Sequence, residues 1–143
     1  MATEILVNDG GAPARIIKFK AGEALTAGDA LGVTHVASGD VTVNQLEQSD
    51  TSAFFVGVAL TDCDSGDTAS VITGRGVVCR INCDDVNGGS VLMPHASTGG
   101  LLIAYVAAAS GDNKGFDGTP VAITLEDGAL GGGAAGLVKC MIL

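Results

Sequence analysis

The sequence is poor in the features that many function classes require. It has no tryptophan, 3% aromatic residues, and only 7 lysines and arginines against 16 aspartates and glutamates in 143 residues. A surface with a formal net charge of -9 repels phosphate backbones, so we do not expect nucleic acid as a partner. No apolar run reaches the ~18–20 residues of a membrane span, so we expect no membrane association either.

The N-terminus also lacks a charged region followed by an apolar one, as a secretory signal would have. We therefore expect synthesis in a cytoplasm, where the four cysteines stay reduced: Cys63, Cys79, Cys83 and Cys140. On one strand, Cys79 and Cys83 would lie about 13 Å apart at ~3.3 Å per residue, too far to share a zinc ion unless the chain turns at Asn82. We expect buried thiols and no metal.

No motif of an enzyme is present. The acidic run Asp62–Asp67 superficially resembles a calcium loop, but Gly66 and Thr73 occupy the fifth and twelfth positions, where ligands are required. It is better interpreted as an acidic turn. His35 and His95 are isolated, and neither a nucleophile elbow nor a Walker loop occurs. We therefore expect no enzymatic activity and no cofactor.

What the sequence does contain is typical of short strands. Its 22 glycines follow no collagen period, and Val, Ile, Leu and Ala must build the core. In the central stretch Phe55–Ile81, the runs Val56–Leu60, Ala69–Thr73 and Gly76–Ile81 are separated by turns. We predict an all-β fold, a small β-barrel or β-sandwich of short strands with glycine-rich turns and extended terminal segments.

Outside the central stretch we predict an N-terminal arm over residues 1–13 and a single β domain over 14–143. Arg15–Lys20 alternates as a half-buried strand, with Ile17 and Phe19 on its buried side. Asn44–Ser52 is polar and is predicted to be an exposed loop, and Asn82–Gly89 a polar turn. Further strands are predicted at 91–93, 101–109, 120–125 and 137–143.

One turn recurs along the chain. Gly28-Asp29, Gly66-Asp67 and Gly89-Ser90 each lead into an apolar run. Their irregular spacing excludes a solenoid, but similar corners suit a compact barrel or sandwich.

The candidate contact residues lie in the terminal strands, which could form exposed sheet edges, or are basic residues. An apolar first or last strand has to be paired inside the fold or covered by another subunit. The basic strip at residues 15–20 is either a solvated strand face or a docking site for an acidic partner. Arg75, alone between two glycines, is either an exposed turn residue or a donor to an inter-subunit carboxylate. The candidates are Ile5, Leu6, Val7, Arg15, Lys18, Lys20, Arg75, Met141, Ile142 and Leu143.

Four segments together resemble a known family: Leu25–Leu31 (LTAGDAL), Val56–Asp62 (VGVALTD), Ser65–Val71 (SGDTASV) and Gly74–Val78 (GRGVV). A further glycine-bearing turn follows at Gly88–Leu92. The pattern is similar to that of tailed-bacteriophage capsid cement, or head decoration, proteins. The resemblance covers residues 20–105 and rests on small-residue turns.

The resemblance implies a small β protein that binds the outside of a matured phage head. Such a protein would assemble as a homotrimer and clamp the joints between major capsid protein subunits. Its expected location is the outer capsid surface of the virion. We expect contacts from Ile5–Lys20, Asn44–Ser52 and the C-terminal strand, so deleting residues 1–13 should abolish binding and leave the fold intact.

Other functions stay open. One alternative is a structural component of a phage tail or fibre, or a β-barrel adhesin module, although the long repeats of fibre shafts are absent. A carrier or biotinyl-like barrel also has Gly-Asp corners, but Lys114 lacks the neighbouring methionine of a modified lysine.

Overall fold

The computed structural model describes residues 4–7, 10–35, 39, 41–47, 54–84, 86–105, 120–128 and 136–143. Within these residues the regular elements are ten β-strands, with no helix, so the all-β prediction is confirmed. The strands are β1 (Arg15–Ala21), β2 (Ala30–His35), β3 (Val41–Gln45), β4 (Phe54–Ala59), β5 (Thr68–Thr73), β6 (Val78–Cys83), β7 (Val91–Pro94), β8 (Leu102–Ala104), β9 (Ala122–Thr124) and β10 (Gly136–Ile142).

The first five strands close into one barrel. Its ring order is β1-β3-β2-β4-β5, with β5 returning to β1. β1 and β5 pair antiparallel over six residues, from Arg15–Thr73 to Lys20–Thr68. The β1–β3 pair is parallel and short, because it joins only Lys20 to Thr42 and Ala21 to Val43.

The last five strands close into a second barrel with the same design. Its ring order is β6-β8-β7-β9-β10, with β10 returning to β6. The first and third strands of the set, β6 and β8, are again the parallel pair. The first and last, β6 and β10, again form the long antiparallel pair. The chain therefore contains the same five-stranded unit twice.

The hydrogen bonds agree with this duplication. Gly28 and Gly89 occupy the same turn before the second strand of each unit, with φ of 93° and 81°. Three backbone hydrogen bonds of the first barrel have equivalents in the second. In the first barrel they run from Gly28 N–H to Ala59 C=O (2.8 Å), from Ala59 N–H to Asp29 C=O (3.0 Å) and from Leu46 N–H to Ala30 C=O (2.9 Å). In the second barrel the equivalent bonds, in the same order, run from Gly89 N–H to Thr124 C=O (2.8 Å), from Thr124 N–H to Ser90 C=O (2.9 Å) and from Tyr105 N–H to Val91 C=O (2.7 Å). Two of the three recurring turns in the sequence are thus copies of one corner.

The core joins the two barrels. One cluster of buried side chains combines the second barrel with Ile5, Ala30, Val58 and Ile72. A smaller cluster, which includes Leu31, fills the first barrel. Because aliphatic side chains make up most of both clusters, the shortage of aromatic residues does not prevent a packed core.

A buried carboxylate ties the barrels together at their junction. Asp29 is 4% exposed and accepts hydrogen bonds from the Thr26 N–H (2.8 Å), Gln45 Nε2 (2.7 Å) and Asn82 Nδ2 (2.9 Å). Gln45 belongs to the first barrel and Asn82 to the second. The Asn82 N–H also donates to the Gly28 carbonyl at 2.8 Å. The junction is therefore specified by paired polar groups as well as by apolar packing.

Several predicted boundaries were wrong. Asn44 and Gln45 complete β3 and are not part of a loop, because they pair with β2. Leu46 is fully buried, and residues 48–52 of that predicted loop lie outside the described part. Asn82 and Cys83 complete β6 and are not part of a turn, because both pair with β10.

Other predictions were tested only in part. Of the strand predicted over 101–109, β8 covers Leu102–Ala104, and residues 106–109 lie outside the described part, as does Lys114. The division into an arm over 1–13 and one domain over 14–143 stays a prediction.

Candidate interaction surface

The described residues offer little for metal or acid–base chemistry. No group of three or more His, Cys, Asp and Glu residues among them is placed to hold a metal ion. His95 has a local role, since its Nδ1 accepts from the N–H groups of Ser97 (3.2 Å) and Thr98 (3.1 Å). Its Nε2 lies 3.9 Å from the Asp84 carboxylate. In the same part of the chain, no helix has the length and hydropathy of a membrane span.

Three of the four thiols are buried in the second barrel. Cys79, Cys83 and Cys140 are fully buried, and the Sγ atoms of Cys83 and Cys140 lie 3.9 Å apart. Burial raises the pKa of Cys79 to about 12. The hydrogen bond to Cys83, followed by burial, raises the pKa of Cys140. Neither group is a thiolate near neutral pH, so neither is suited to nucleophilic chemistry.

An open groove of about 720 Å³ lies between the N-terminal segment and the first barrel. It is lined by Glu4, Ile5, Leu6, Ala27, Leu60, Thr61 and Asp62. The Asp62 carboxylate already accepts the Ala27 N–H at 2.8 Å. This lining is mostly aliphatic, which suits packing against an apolar side chain.

β1 is the most exposed strand described. Arg15, Ile16, Ile17 and Lys18 are all exposed, although they belong to one continuous strand. The prediction of a half-buried strand was wrong at Ile17, which is 41% exposed; of Ile17 and Phe19, it is Phe19 that packs against the core of the first barrel. Among the described residues, the first part of β1 has β5 as its single strand neighbour.

More exposed apolar side chains lie at the same end of the first barrel. β1, β3 and β4 run in the same direction, as their pairings with β2 and β5 require. Their first residues therefore lie towards the same end of the barrel. Exposure there is 42% for Ile16, 49% for Val41 and 78% for Phe54. We define the β1 surface as Arg15–Lys18, Lys20, Val41 and Phe54.

The β1 surface has the character of a contact site. Several exposed apolar side chains at one end of a barrel, flanked by charges, are more typical of interaction sites than single scattered ones. Arg15, Lys18 and Lys20 supply three of the seven basic residues of the chain. The Lys18 ammonium donates to the Ser70 hydroxyl across the β1–β5 pair. Sequence reasoning missed Val41 and Phe54; the Phe54-Phe55 pair was the available signal, because neighbours in a strand face opposite sides.

The N-terminal candidates are paired inside the fold. Leu6 forms an antiparallel bridge with Cys79 of β6. The Arg80 N–H donates to the Ile5 carbonyl at 2.7 Å, and the Val7 N–H donates to the Val78 carbonyl at 3.2 Å. Ile5 is buried, whereas Leu6 and Val7 are half-buried. A contact of these three residues with another subunit stays a prediction.

The C-terminal strand is also paired inside the fold. β10 lies between β6 and β9, so its backbone has neighbours on both sides. Met141 is half-buried, Ile142 is buried and Leu143 is exposed. Arg75 is exposed at the tip of a turn. Contacts of these four residues with other subunits stay predictions.

Comparison with known proteins adds information about the fold. No protein-family model and no curated protein matches the chain. Among solved structures, the chain is similar to the crystal structure of the head fiber gp8.5 N base of bacteriophage phi29, with a TM-score of 0.62 and 16% sequence identity. The match covers 92% of this chain and 95% of that one. At this identity the likeness establishes a shared fold, and the resemblance to cement proteins stays a hypothesis.

Proposed function

We propose that this chain is a structural protein of a phage virion that attaches to the outside of the head. The observation that carries the proposal is the fold, because the match to the phage phi29 head fiber base extends over nearly the whole of both chains. A phage role also agrees with the sequence motifs that resemble head decoration proteins.

The surface chemistry supports attachment and not catalysis. The net charge of -9 suits the outer face of a shell better than its DNA-lined interior. The β1 surface combines exposed aliphatic and aromatic side chains with cations, a composition typical of contact sites. Within the described residues we find no constellation of a nucleophile, a base and an orienting group.

The finer form of the proposal is a cement or decoration protein. It binds the major capsid protein at joints between subunits, as a homotrimer. A ligand that binds the assembled lattice and not the free subunits stabilises the lattice by mass action. Several linked contact sites in one trimer would strengthen attachment by avidity.

The test uses heads from the phage whose virions contain this protein, prepared with and without it. We expect purified protein to co-sediment with heads that lack it, at a fixed ratio to the major capsid protein. We also expect it to raise the temperature at which packaged DNA is released. Absence of the protein from purified heads, or its presence in a tail fraction only, would contradict attachment to the head.

A head-fibre base is the second candidate, favoured by the structural neighbour, which is the N base of a head fiber. Such a base would co-sediment with heads without changing the DNA-release temperature. Light scattering tests the trimer separately, since a homotrimer has three times the 14.1 kDa mass of the chain.

A further inference from the structure

The first strands of the two barrels, β1 and β6, have equivalent outer edges, but these edges have different neighbours. The parallel pairs Ala21–Val43 and Cys83–Leu102 occupy the same place in the two rings, which makes Ala21 and Cys83 equivalent positions. Counting back along β1 and β6, Lys18 corresponds to Arg80 and Ile16 corresponds to Val78. Both barrels therefore have a cation at the same position of their first strand.

The backbone groups of Ile16 and Lys18 point away from β5. The Ala21 N–H donates towards β5, to the Asp67 carbonyl at 2.8 Å, and the Gly22 N–H donates in the opposite direction, to the Val43 carbonyl at 3.0 Å. Because the direction of N–H and C=O alternates along a strand, the even-numbered residues of β1 direct these groups to the outer edge.

In the second barrel the equivalent groups are occupied. The Arg80 N–H and the Val78 carbonyl pair with Ile5 and Val7, and the Arg80 guanidinium donates to the Glu4 carbonyl at 2.8 Å. Under this segment Val78 is 4% exposed and Cys79 is fully buried. In the first barrel no described strand pairs with Ile16–Lys18 on that side, and Ile16 is 42% exposed.

We propose that the outer edge of β1 at Ile16–Lys18 binds an extended segment of another protein. The segment adds to the sheet as an antiparallel strand, as Glu4–Val7 adds to β6. Backbone hydrogen bonds to Lys18 N–H and Ile16 C=O provide affinity, and side chains lying over Ile17 provide apolar contact. The inference rests on the duplicated barrel and does not depend on the phage role.

Two observations identify the chemistry of the partner. The covering segment of the second barrel is apolar and begins with Glu4, so the expected ligand is an apolar strand with acidic flanks. The three cations at Arg15, Lys18 and Lys20 complement such flanks. Pairing with β1 of a second copy would instead bring six cations together, which is unfavourable. The chain's own covering segment is engaged on β6.

The probe is a synthetic peptide with the sequence of residues 1–10, which contains Glu4–Val7. It is titrated to millimolar concentration into the ¹⁵N-labelled full chain, and amide chemical shifts are followed. We expect shifts centred on Ile16–Lys18 and slower hydrogen exchange at the Lys18 amide. A peptide in which the glutamate is replaced by lysine should bind about threefold more weakly, as expected for one exposed ion pair.

Two variants distinguish the contribution of the backbone hydrogen bond to peptide binding from that of the Lys18 charge. Lys18→Ala removes the ammonium and keeps the N–H, whereas Lys18→Pro also removes the N–H that faces the edge and leaves the pairing with β5 intact. We expect Lys18→Pro to bind the peptide about tenfold more weakly than Lys18→Ala. If circular dichroism shows that Lys18→Pro is unfolded, the double variant Arg15→Glu/Lys18→Glu replaces it, with an expected loss of about tenfold.

Four results would overturn the proposal. The first is the absence of peptide shifts at Ile16–Lys18, and the second is equal binding by the proline and alanine variants. The third is strong protection of the Lys18 amide without peptide, which would mean that this chain covers its own edge. The fourth is a concentration-dependent shift of β1 in the protein alone, which would identify a second copy as the occupant.

Discussion

The two barrels have the same strand order, yet their first strands lie in different environments. Val78 and Cys79 of β6 are 4% and 0% exposed, whereas the equivalent Ile16 and Ile17 of β1 are 42% and 41% exposed. The side chains of all four are apolar, so the difference does not come from hydrophobicity. One difference between the two strands is the segment Glu4–Val7, which pairs with the outer edge of β6. In a duplicated fold, the exposed surface depends on what each copy contacts.

The corner before the second strand shows the same effect. Gly28-Asp29 of the first barrel is buried at the junction, and the Asp29 carboxylate accepts hydrogen bonds from both barrels. The equivalent Gly89 is exposed, and Ser90 is half-buried. The corner of the first barrel is thus an inter-barrel contact, whereas the corner of the second barrel is a local turn.

The largest effect should follow loss of the Asp29 carboxylate. Asp29→Ala removes a buried carboxylate and leaves the donors of Thr26, Gln45 and Asn82 without their acceptor, and we expect the free energy of unfolding to fall by about 3–5 kcal/mol. The matched change Ser90→Ala should cost less than about 1 kcal/mol. Urea denaturation measures both. Equal costs would mean that the corner carries the same energy in both barrels.

Next in size is removal of the side chain that covers the second barrel. Ile5 is 4% exposed and belongs to the core, so Ile5→Ala should lower the free energy of unfolding by about 2–4 kcal/mol. The control Ile17→Ala, on the exposed edge, should stay within about 0.5 kcal/mol of the natural protein. Deletion of residues 1–13 should therefore also destabilise the fold, which revises the expectation from sequence. A negligible effect of Ile5→Ala would show that the segment is not part of the core.

A smaller difference is expected between the two corner glycines. Both have positive φ, but a Cβ at Gly28 would overlap the Leu137 side chain, whereas a Cβ at Gly89 would have no atom within 4 Å. We expect Gly28→Ala to cost about 2–3 kcal/mol and Gly89→Ala about 1 kcal/mol, the strain of a left-handed alanine. Thermal unfolding of both variants checks the ranking. The reverse ranking would be inconsistent with burial of the first corner.

The smallest effect concerns the buried thiols of the second barrel. Burial raises the pKa of Cys79 to about 12, so in the folded state it keeps its proton while an unfolded thiol ionises near pH 8.5. The unfolded state therefore loses protons first, and the free energy of unfolding should fall as pH rises from about 8.5 towards 12.

The size of this pH dependence is set by the difference between the numbers of protons bound by the folded and unfolded states. At pH 9 we expect Cys79 to lower the free energy of unfolding by about 1 kcal/mol relative to pH 7. Cys79→Ala should remove this part of the pH dependence. The half-buried Cys63 of the first barrel provides the control, since Cys63→Ala should leave most of it. An unchanged slope in Cys79→Ala would assign the pH dependence to other groups.

Part of the site could be predicted from sequence and part could not. The concentration of cations at Arg15, Lys18 and Lys20 is visible in the sequence, and the structure places all three on one exposed strand. The exposure of Ile17 was not predictable, because an alternating pattern assumes that one face of a strand is buried. Val41 and Phe54 join the same surface only because three strands begin at the same end of the barrel.

The sequence by itself determined the all-β class and the approximate positions of most strands. Glycine-bearing turns and runs of β-branched residues act over a few neighbours, so they can be recognised locally. Only the tertiary structure decided the ring order, the duplication and the difference between the two edges. These depend on pairings such as Leu6 with Cys79 and Val78 with Met141, between residues far apart in the chain. The alternation of side chains along a strand defines its two faces but does not specify which strands lie beside it. Those neighbouring strands are selected when each barrel closes.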